Sequence, residues 1–155
     1  MVIERALAPD AEGIWLLQRL VYRSEADIYD DYTIEPLTQS VDDIEKQFAD
    51  HTILKAVIEG TIIGSVRASS RDGTCYIGKL IVHPDCQNRG IGKKLMAEIE
   101  TCFRTADRFE LFTGSKSVKN IRLYESLGYG FLREEPVVGN FKLVFMVKAA
   151  QKPAG

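Results

Sequence analysis

The spacing of hydrophobic residues predicts mainly helices in the first third of the chain. Val2–Leu7 alternates in the manner of a strand, and Pro9 and Asp10 then begin a helix. The residues expected on the buried face of this helix are Ile14, Leu17 and Leu20 or Val21. The polar stretch Ser24–Gln39 lacks helical spacing, so it is predicted to be irregular.

A meander of strands is predicted after a second helix. That helix should begin at Ser40, because Asp43 can complete a capping box, and its expected buried face holds Val41, Ile44 and Phe48. The three runs that read as strands are Thr52–Glu59, Ile62–Ser69 and Thr74–His83. Gly60-Thr61 and Asp72-Gly73 separate them. Both pairs are suited to tight turns, so consecutive strands should pair antiparallel.

Helical spacing returns after residue 90. The face of the new helix holds Ile91, Leu95, Ile99 and Cys102 or Phe103. The remaining elements are a strand at Phe109–Thr113, a helix at Ser117–Leu127 ended by Gly128, and strands near Tyr129–Glu134 and Phe141–Lys148. The unit from Thr74 to Thr113 reads strand–helix–strand, which predicts a parallel pair with a right-handed crossover. The fold class is therefore α/β with a mixed sheet.

Composition restricts the kind of protein further. The chain has 155 residues, a net charge of −2, 45% hydrophobic and 27% charged residues, which suit one domain at 1–149 with a short tail at 150–155. Its charge does not favour nucleic-acid binding. No apolar run approaches the ~18 residues of a membrane span, and no secretory leader is visible. Three cysteines without CxxC spacing fit a reducing compartment. We therefore expect a cytoplasmic protein with no nucleic-acid, membrane or metal partner.

The segment Gln87–Lys94 lies between a predicted strand and a predicted helix. A helix N-terminus has unpaired N–H groups and the positive end of the dipole, so it attracts anions. Gly90 and Gly92 would let a phosphate approach those N–H groups. Arg89 and Lys93 add positive charge.

Two nucleotide-binding motifs fail at this loop. A dinucleotide motif G-x-G-x-x-G would need a third glycine at Leu95. A P-loop would need glycine at Gln87 and a hydroxyl at Lys94. Gly90 and Gly92 alone would also fit an ordinary strand-to-helix turn.

The wider segment Leu80–Gly92 resembles the acetyl-CoA signature of the GNAT superfamily of N-acyltransferases. That signature is a Q/R-x-x-G-x-G/A loop after a strand that ends in an apolar–Pro step, and Gln87, Gly90 and Gly92 fill its fixed places. The segment Asn120–Tyr129 resembles the second motif of the family. The order of elements matches over about residues 2–148. The resemblance implies a sheet of about seven strands flanked by about four helices and splayed between the fourth and fifth strands.

The resemblance also implies an enzyme that moves an acetyl group from acetyl-CoA, its cosubstrate, to a primary amine. The backbone of Leu80, Ile81 and Val82 would contact pantetheine, and one N–H group there would stabilise the oxyanion of a tetrahedral intermediate. The remaining residues implied at the cofactor are Gln87, Asn88, Arg89, Gly90, Ile91, Gly92, Lys93, Ser117 and Asn120. Many members carry Asn in place of Ser117 and a small residue in place of Asn120, so the resemblance leaves open which of these two contacts CoA.

Tyr124 matches the general acid of the family, which protonates the departing thiolate. It lies four residues after Asn120 and therefore on the same helix face. The general base is left open between Glu110, Glu35 and a water chain. His51 and His83 are interpreted as structural or surface residues, and nothing in the sequence suggests a nucleophilic role for Cys86.

Carboxylates cluster in the variable region that helps to wall the acceptor site in the family. They are Glu25, Asp27, Asp30, Asp31 and Glu35, interleaved with Tyr22, Tyr29 and Tyr32. Such a cluster suits a cationic amine, carried by a small molecule or a peptide, although a solvated helix end would have the same composition. A homodimer is one of the oligomeric states left open. The alternative function is a non-catalytic module that binds CoA as a sensor or scaffold.

Overall fold

The computed structural model describes residues 1–137 and 141–151, and residues 152–155 of the predicted tail lie outside the described residues. Helices and strands follow in this order: β1 Val2–Arg5, α1 Ala11–Tyr29, α2 Glu35–Thr38, α3 Val41–Gln47, β2 Thr52–Ile58, β3 Thr61–Arg71, β4 Thr74–Val82, α4 Ile91–Thr101, β5 Arg108–Gly114, α5 Val118–Ser126, β6 Gly130–Pro136 and β7 Lys142–Ala149. Within this described part, each helix is too short or too polar to cross a bilayer.

The seven strands form one mixed sheet in the order β1-β2-β3-β4-β5-β7-β6. The pair β4–β5 is parallel, as the strand–helix–strand unit predicted, and the other neighbours are antiparallel. This parallel pairing covers only Thr74–Tyr76 of β4 and Arg108–Glu110 of β5. The two strands then separate, which confirms the predicted splay and leaves a gap beside the second half of β4.

Two hydrophobic clusters cover opposite faces of the sheet. Ile53 packs with Ile14 of α1 and Ile44 of α3, whereas the next strand residue, Leu54, belongs to the cluster that includes Leu95 of α4. Successive side chains of a strand point to opposite faces, so this alternation places α1 and α3 on one side and α4 on the other. The result is a three-layer α/β/α arrangement with the gap between β4 and β5 inside it.

The prediction of an irregular stretch at Ser24–Gln39 was wrong in part. Helix α1 continues to Tyr29, because Ala26 and Tyr29 keep the helical spacing of buried positions, and a short helix occupies Glu35–Thr38. The polar residues between them had hidden this spacing. The first hairpin turn also lies one residue earlier than predicted, since the left-handed residues are Glu59 and Gly60.

The second predicted helix has the cap that its sequence indicated. The Ser40 hydroxyl oxygen accepts a hydrogen bond from the Asp43 amide (3.1 Å), and the Asp43 carboxylate accepts one from the Ser40 amide (3.0 Å). This reciprocal pair fixes the start of α3, and α3 in turn places Gln47 beside the sheet.

Candidate active site

Two adjoining cavities occupy the gap between β4 and β5. The smaller has a volume of about 380 Å³ and contacts the N-terminal end of α4, and the larger has a volume of about 750 Å³. Four residues line both cavities, and they define the junction between them: Tyr22, Glu25, Leu80 and Asn120. A molecule in the smaller cavity would therefore reach a second molecule in the larger one at this point.

The loop before α4 presents a helix N-terminus to the smaller cavity. Gly90 is the N-cap with φ +78°, a conformation that a residue with a Cβ atom rarely adopts, and no side chain caps the helix. The first turn contains no acidic residue, although Lys93 and Lys94 lie at this positive end of the dipole. The N–H groups of the first turn are thus available to bind an anion. A bound anion would also offset the repulsion between the positive helix end and the two lysines.

Gln87 fixes the loop to its neighbours. Its side-chain amide nitrogen donates to the Val82 carbonyl (3.1 Å), and its amide oxygen accepts from the Lys119 ammonium (3.0 Å). The loop is therefore bonded both to the end of β4 and to α5. This accounts structurally for a glutamine at this position.

Most of the residues predicted at a cofactor line the smaller cavity: Leu80, Val82, Gln87, Asn88, Gly90, Ile91, Gly92, Lys93, Ser117 and Asn120. Arg89 and Ile81 do not line it. Arg89 is exposed on the outer side of the loop, and the Ile81 side chain is buried in the sheet. Only the backbone of Ile81 could therefore contact a ligand.

β4 contains a bulge that was not predicted from the sequence. Arg67 of β3 pairs with Gly78 and Ser65 pairs with Ile81, so that Val66 alone opposes two residues, Lys79 and Leu80. Lys79 has φ +52°, which is unusual for a residue with a side chain. A bulge leaves backbone groups unpaired and re-aims the strand. Gly78 inside a strand was the available signal, because such glycines often mark bulges.

Tyr124 lies in the wall of the larger cavity, on α5. It is 6% exposed, and its hydroxyl forms no hydrogen bond within the described part of the chain. Burial raises the pKa of Tyr124 above the ordinary value for a phenol, and the nearby carboxylate of Glu25 raises it further. The hydroxyl therefore stays protonated through the physiological pH range and faces the cavity as an available donor.

Glu25 joins α1 to α5 at the junction of the cavities. Its carboxylate accepts hydrogen bonds from the Ser117 hydroxyl (2.5 Å) and, more weakly, from the Asn120 amide nitrogen (3.5 Å). From the sequence, Glu25 was predicted only as one of several carboxylates at the acceptor site. Its partners are more than 90 residues away along the chain, and no local pattern indicates this contact.

The two carboxylates considered as general bases lie in different surroundings. Glu110 lies outside the lining of both cavities and is buried near the Arg108 and Arg133 guanidinium groups (3.6 and 3.7 Å). Glu35 does line the larger cavity, where its carboxylate accepts a hydrogen bond from the Lys79 ammonium (2.6 Å).

The acidic segment contributes only part of its charge to the larger cavity. Glu25, Asp31 and Glu35 line it, whereas Asp27 accepts a hydrogen bond from the Tyr32 hydroxyl and Asp30 ends α1. Two cations from distant strands, Arg67 and Lys79, line the same cavity. The cavity therefore carries charges of both signs, which the sequence alone did not indicate.

Comparisons with known proteins agree with this geometry. The family model described as "Acetyltransferase (GNAT) family" matches residues 18–129. A PaiA N-acetyltransferase from Thermoplasma acidophilum, solved with coenzyme A, is 18% identical over 96% of this chain and 99% of its own, with a TM-score of 0.78. YncA from Salmonella typhimurium, solved with acetyl-CoA, is 22% identical over 100% and 96%, with a TM-score of 0.76. The ribosomal-protein-S18-alanine N-acetyltransferase of Escherichia coli is 17% identical over 99% and 96%, also with a TM-score of 0.76. At these identities the likeness is one of fold. No curated protein matches the sequence.

Proposed function

Because this chain belongs to the GNAT family of acetyltransferases, we propose that it moves an acetyl group from acetyl-CoA directly to a primary amine, through a tetrahedral intermediate. The observation that carries the proposal is the junction of two cavities at Glu25, with Tyr124 in the wall of the larger one. One cavity has a helix N-terminus for a phosphate, and the other is open to a second substrate. A sensor that only bound CoA would need the first cavity alone.

The smaller cavity fits the pyrophosphate of CoA. The uncapped first turn of α4 offers N–H donors, and Gly90 adopts a left-handed conformation that turns the chain into the helix. A Cβ atom at Gly92 would lie 3.5 Å from Leu123 and 3.8 Å from Leu80, two residues of the cavity lining. Glycine at this position therefore keeps the cavity open. These features support the assignment of residues 87–93 as the pyrophosphate loop.

The unpaired edge of β4 fits the pantetheine arm. From Ile77 onward β4 pairs with no strand on its β5 side among the residues that the structure describes, and the bulge at Lys79 and Leu80 disturbs its pairing with β3 as well. Free backbone groups of this kind can pair with an extended amide chain. A fixed N–H group near the bulge would also stabilise the negative charge that develops on the thioester oxygen.

Tyr124 is assigned as the general acid. The attack of the amine nitrogen on the thioester carbon forms a C–N bond, and collapse of the intermediate breaks the C–S bond. Tyr124 gives its hydroxyl proton to the departing sulfur, and the proton that the attached nitrogen loses as the amide forms returns through water to restore the phenol. The raised pKa of Tyr124 keeps that proton in place until the thiolate forms. Tyr22, which lines both cavities at the junction, is the alternative donor.

Glu25 is assigned to the amine. The acceptor must lose a proton before it attacks, because an alkylammonium has a pKa of ~10 and no lone pair. Glu25 is the carboxylate at the junction, whereas Glu110 lies outside both cavities and Glu35 is paired with Lys79. Glu25 can thus attract the ammonium group and accept its proton, either directly or through one water molecule.

A thiol-release assay tests the proposal. Purified protein is mixed with acetyl-CoA and a panel of primary amines, and free CoA is followed together with the acetylated amine by mass spectrometry. We expect amine-dependent release of CoA in equal amount to the acetylated product. If CoA binds tightly but no amine in a broad panel is acetylated above the rate without protein, the proposal is wrong and the sensor alternative is favoured.

A further inference from the structure

Arg67 is a buried cation in the wall of the larger cavity. It lies on β3, is only 3% exposed, and faces the helical layer formed by α1 and α3. One guanidinium nitrogen donates to the side-chain oxygen of Gln47 (2.8 Å), and another donates to that of Gln18. Both partners are neutral, so the guanidinium is held in position without losing its net charge.

Gln18 is itself fixed by two further hydrogen bonds. Its amide nitrogen donates to the Pro36 carbonyl (2.9 Å) and to the side-chain oxygen of Gln39 (2.9 Å). Gln18 is completely buried, and Gln39 is nearly so. This polar network spans α1, the α2 segment and β3, and it determines the orientation of Arg67.

The Arg67 charge has no anionic partner in the described part of the chain. No carboxylate oxygen there lies within 4 Å of the guanidinium, and the neighbouring Glu35 is paired with Lys79 instead. An arginine has five N–H donors, and the two glutamines use two of them. Burial lowers the pKa of Arg67 to about 10, so the group is still charged at neutral pH.

A charge in such a position is costly unless something compensates it. Buried charges in proteins are normally paired, because the loss of hydration is not recovered by neutral hydrogen bonds alone. A planar guanidinium with free donors matches the two oxygens of a carboxylate. An anionic group on the molecule that enters the cavity would supply the missing partner.

We propose that Arg67 binds a carboxylate of the acceptor, so that the acceptor is a small molecule with both an amine and a carboxylate. This inference rests on the proposed function, since it concerns the second substrate of the same reaction. Glu25 at the junction attracts the ammonium end, and Arg67, which lines the larger cavity but not the smaller, holds the other end. Free amino acids are the simplest molecules with this pair of groups.

The first experiment compares l-amino acids with their own amides in the thiol-release assay. Phenylalanine, leucine, glutamine and lysine cover the apolar, neutral and charged side chains that a cavity lined by Phe112, Phe141 and Leu143 could admit. An amide lowers the pKa of the neighbouring amine, so rates are compared at equal concentrations of unprotonated amine. We expect the preferred amino acid to have a kcat/KM about 10- to 100-fold above that of its amide.

The second experiment removes the charge of Arg67. In Arg67→Gln we expect the ratio of kcat/KM for the acid to kcat/KM for the amide to fall to about one. The KM for the acid should rise, and the KM for the amide should not change. A merely structural role would lower the activity on both alike. Arg67→Lys, which keeps the charge, provides a second variant if the first does not fold, and it should retain a reduced preference. Arg5→Gln is the matched control, because Arg5 is exposed on β1 and lines neither cavity, and its side chain donates a hydrogen bond to the Thr52 hydroxyl on the neighbouring strand.

The outcomes separate this inference from the proposed function. A wild-type protein that acetylates amines but never prefers the acid overturns the inference alone, and so does an Arg67→Gln variant with an unchanged preference. If no amine is acetylated, the proposed function is wrong, and calorimetry with the CoA-saturated protein then decides the inference. Binding of an acid but not of its amide, lost in Arg67→Gln, would still support a carboxylate site, and absence of binding would overturn it.

Discussion

The two halves of the gap between β4 and β5 are built in different ways. The smaller cavity depends mainly on backbone: an uncapped helix start, a left-handed Gly90 and a strand edge that no strand in the described part of the chain pairs with. The larger cavity depends on side chains that come from both ends of the chain and meet only after folding. Backbone features accept a ligand part that is the same in every reaction, whereas assembled side chains can be changed one at a time. The first half is thus suited to a common cosubstrate and the second to a particular acceptor.

Tyr124→Phe tests the proposed general acid, which lies in the wall of the larger cavity. The change removes the hydroxyl and keeps the buried ring, so we expect kcat to fall by about 10²- to 10⁴-fold with little change in affinity for CoA. Steady-state kinetics and calorimetry measure the two quantities. Tyr32→Phe is the control, because Tyr32 is exposed and lines neither cavity. Full activity in Tyr124→Phe together with a large loss of activity in Tyr22→Phe would identify Tyr22 as the general acid instead.

Glu25→Gln tests whether the junction also activates the amine. The substitution keeps the shape and can still accept from Ser117, but it cannot take a proton, so we expect kcat/KM to fall by about 10²-fold at neutral pH. The loss should shrink as pH rises toward the pKa of the free amine, because more acceptor is then already deprotonated. A pH profile parallel to that of the wild type would assign Glu25 to positioning only.

Gly92→Val should affect the smaller cavity alone. Its Cβ atom would make ordinary contacts with Leu123, Leu80 and Val82, so the fold should survive, but the branched side chain would occupy space needed by the ligand. We expect the affinity for CoA to fall about 5- to 150-fold, which corresponds to the 1–3 kcal/mol cost of overpacking. Calorimetry measures it. Gly130→Val is the control, since a Cβ there meets nothing within 4 Å and the residue lines neither cavity. An unchanged affinity in a folded Gly92→Val protein would contradict the placement of the pyrophosphate.

The same difference explains what could be predicted from the sequence. The strand order around the parallel pair and the loop at residues 87–93 follow from local patterns, because turns, glycines and hydrophobic spacing act on neighbours in the chain. Glu25 and Arg67 could not be assigned in this way. The position of the Glu25 side chain depends on its hydrogen bonds with Ser117 and Asn120, which are distant in the sequence. The position of Arg67 depends on its hydrogen bonds with Gln18 and Gln47, which come from other elements.

Helix α1 shows the same limit at the level of the fold. Its second half was predicted to be irregular because charged residues interrupt the hydrophobic spacing there. In the structure those polar residues face the site or solvent, while Ala26 and Tyr29 continue the buried face. The Tyr29 hydroxyl also accepts a hydrogen bond from the Lys116 amide (2.7 Å), which fastens α1 to the segment before α5. The end of α1 therefore resembled a loop, because polar residues that line the cavities or face solvent interrupt its hydrophobic spacing.

Glu35→Gln should give the smallest effect. It tests whether a charge in the larger cavity changes the acceptor preference without changing the affinity for acetyl-CoA. The Glu35 side chain is more than half exposed, so the loss of its pair with Lys79 should change any rate less than about fivefold. The direction of the change in acceptor preference can nevertheless be predicted. Removal of this negative charge leaves Lys79 unpaired and increases the positive potential near Arg67, so the preference for an amino acid over its amide should rise. The rise should diminish as salt is added, because exposed charges are screened within ~8 Å at physiological ionic strength.

Affinity for acetyl-CoA should not change in Glu35→Gln. Neither this affinity nor the acceptor preference should change in Glu12→Gln, an exposed acid of α1 outside both cavities. If acetyl-CoA affinity changed as much as the acceptor preference, the charge of Glu35 would act on both ligands alike, and the acceptor cavity would not be electrostatically independent of the cofactor cavity.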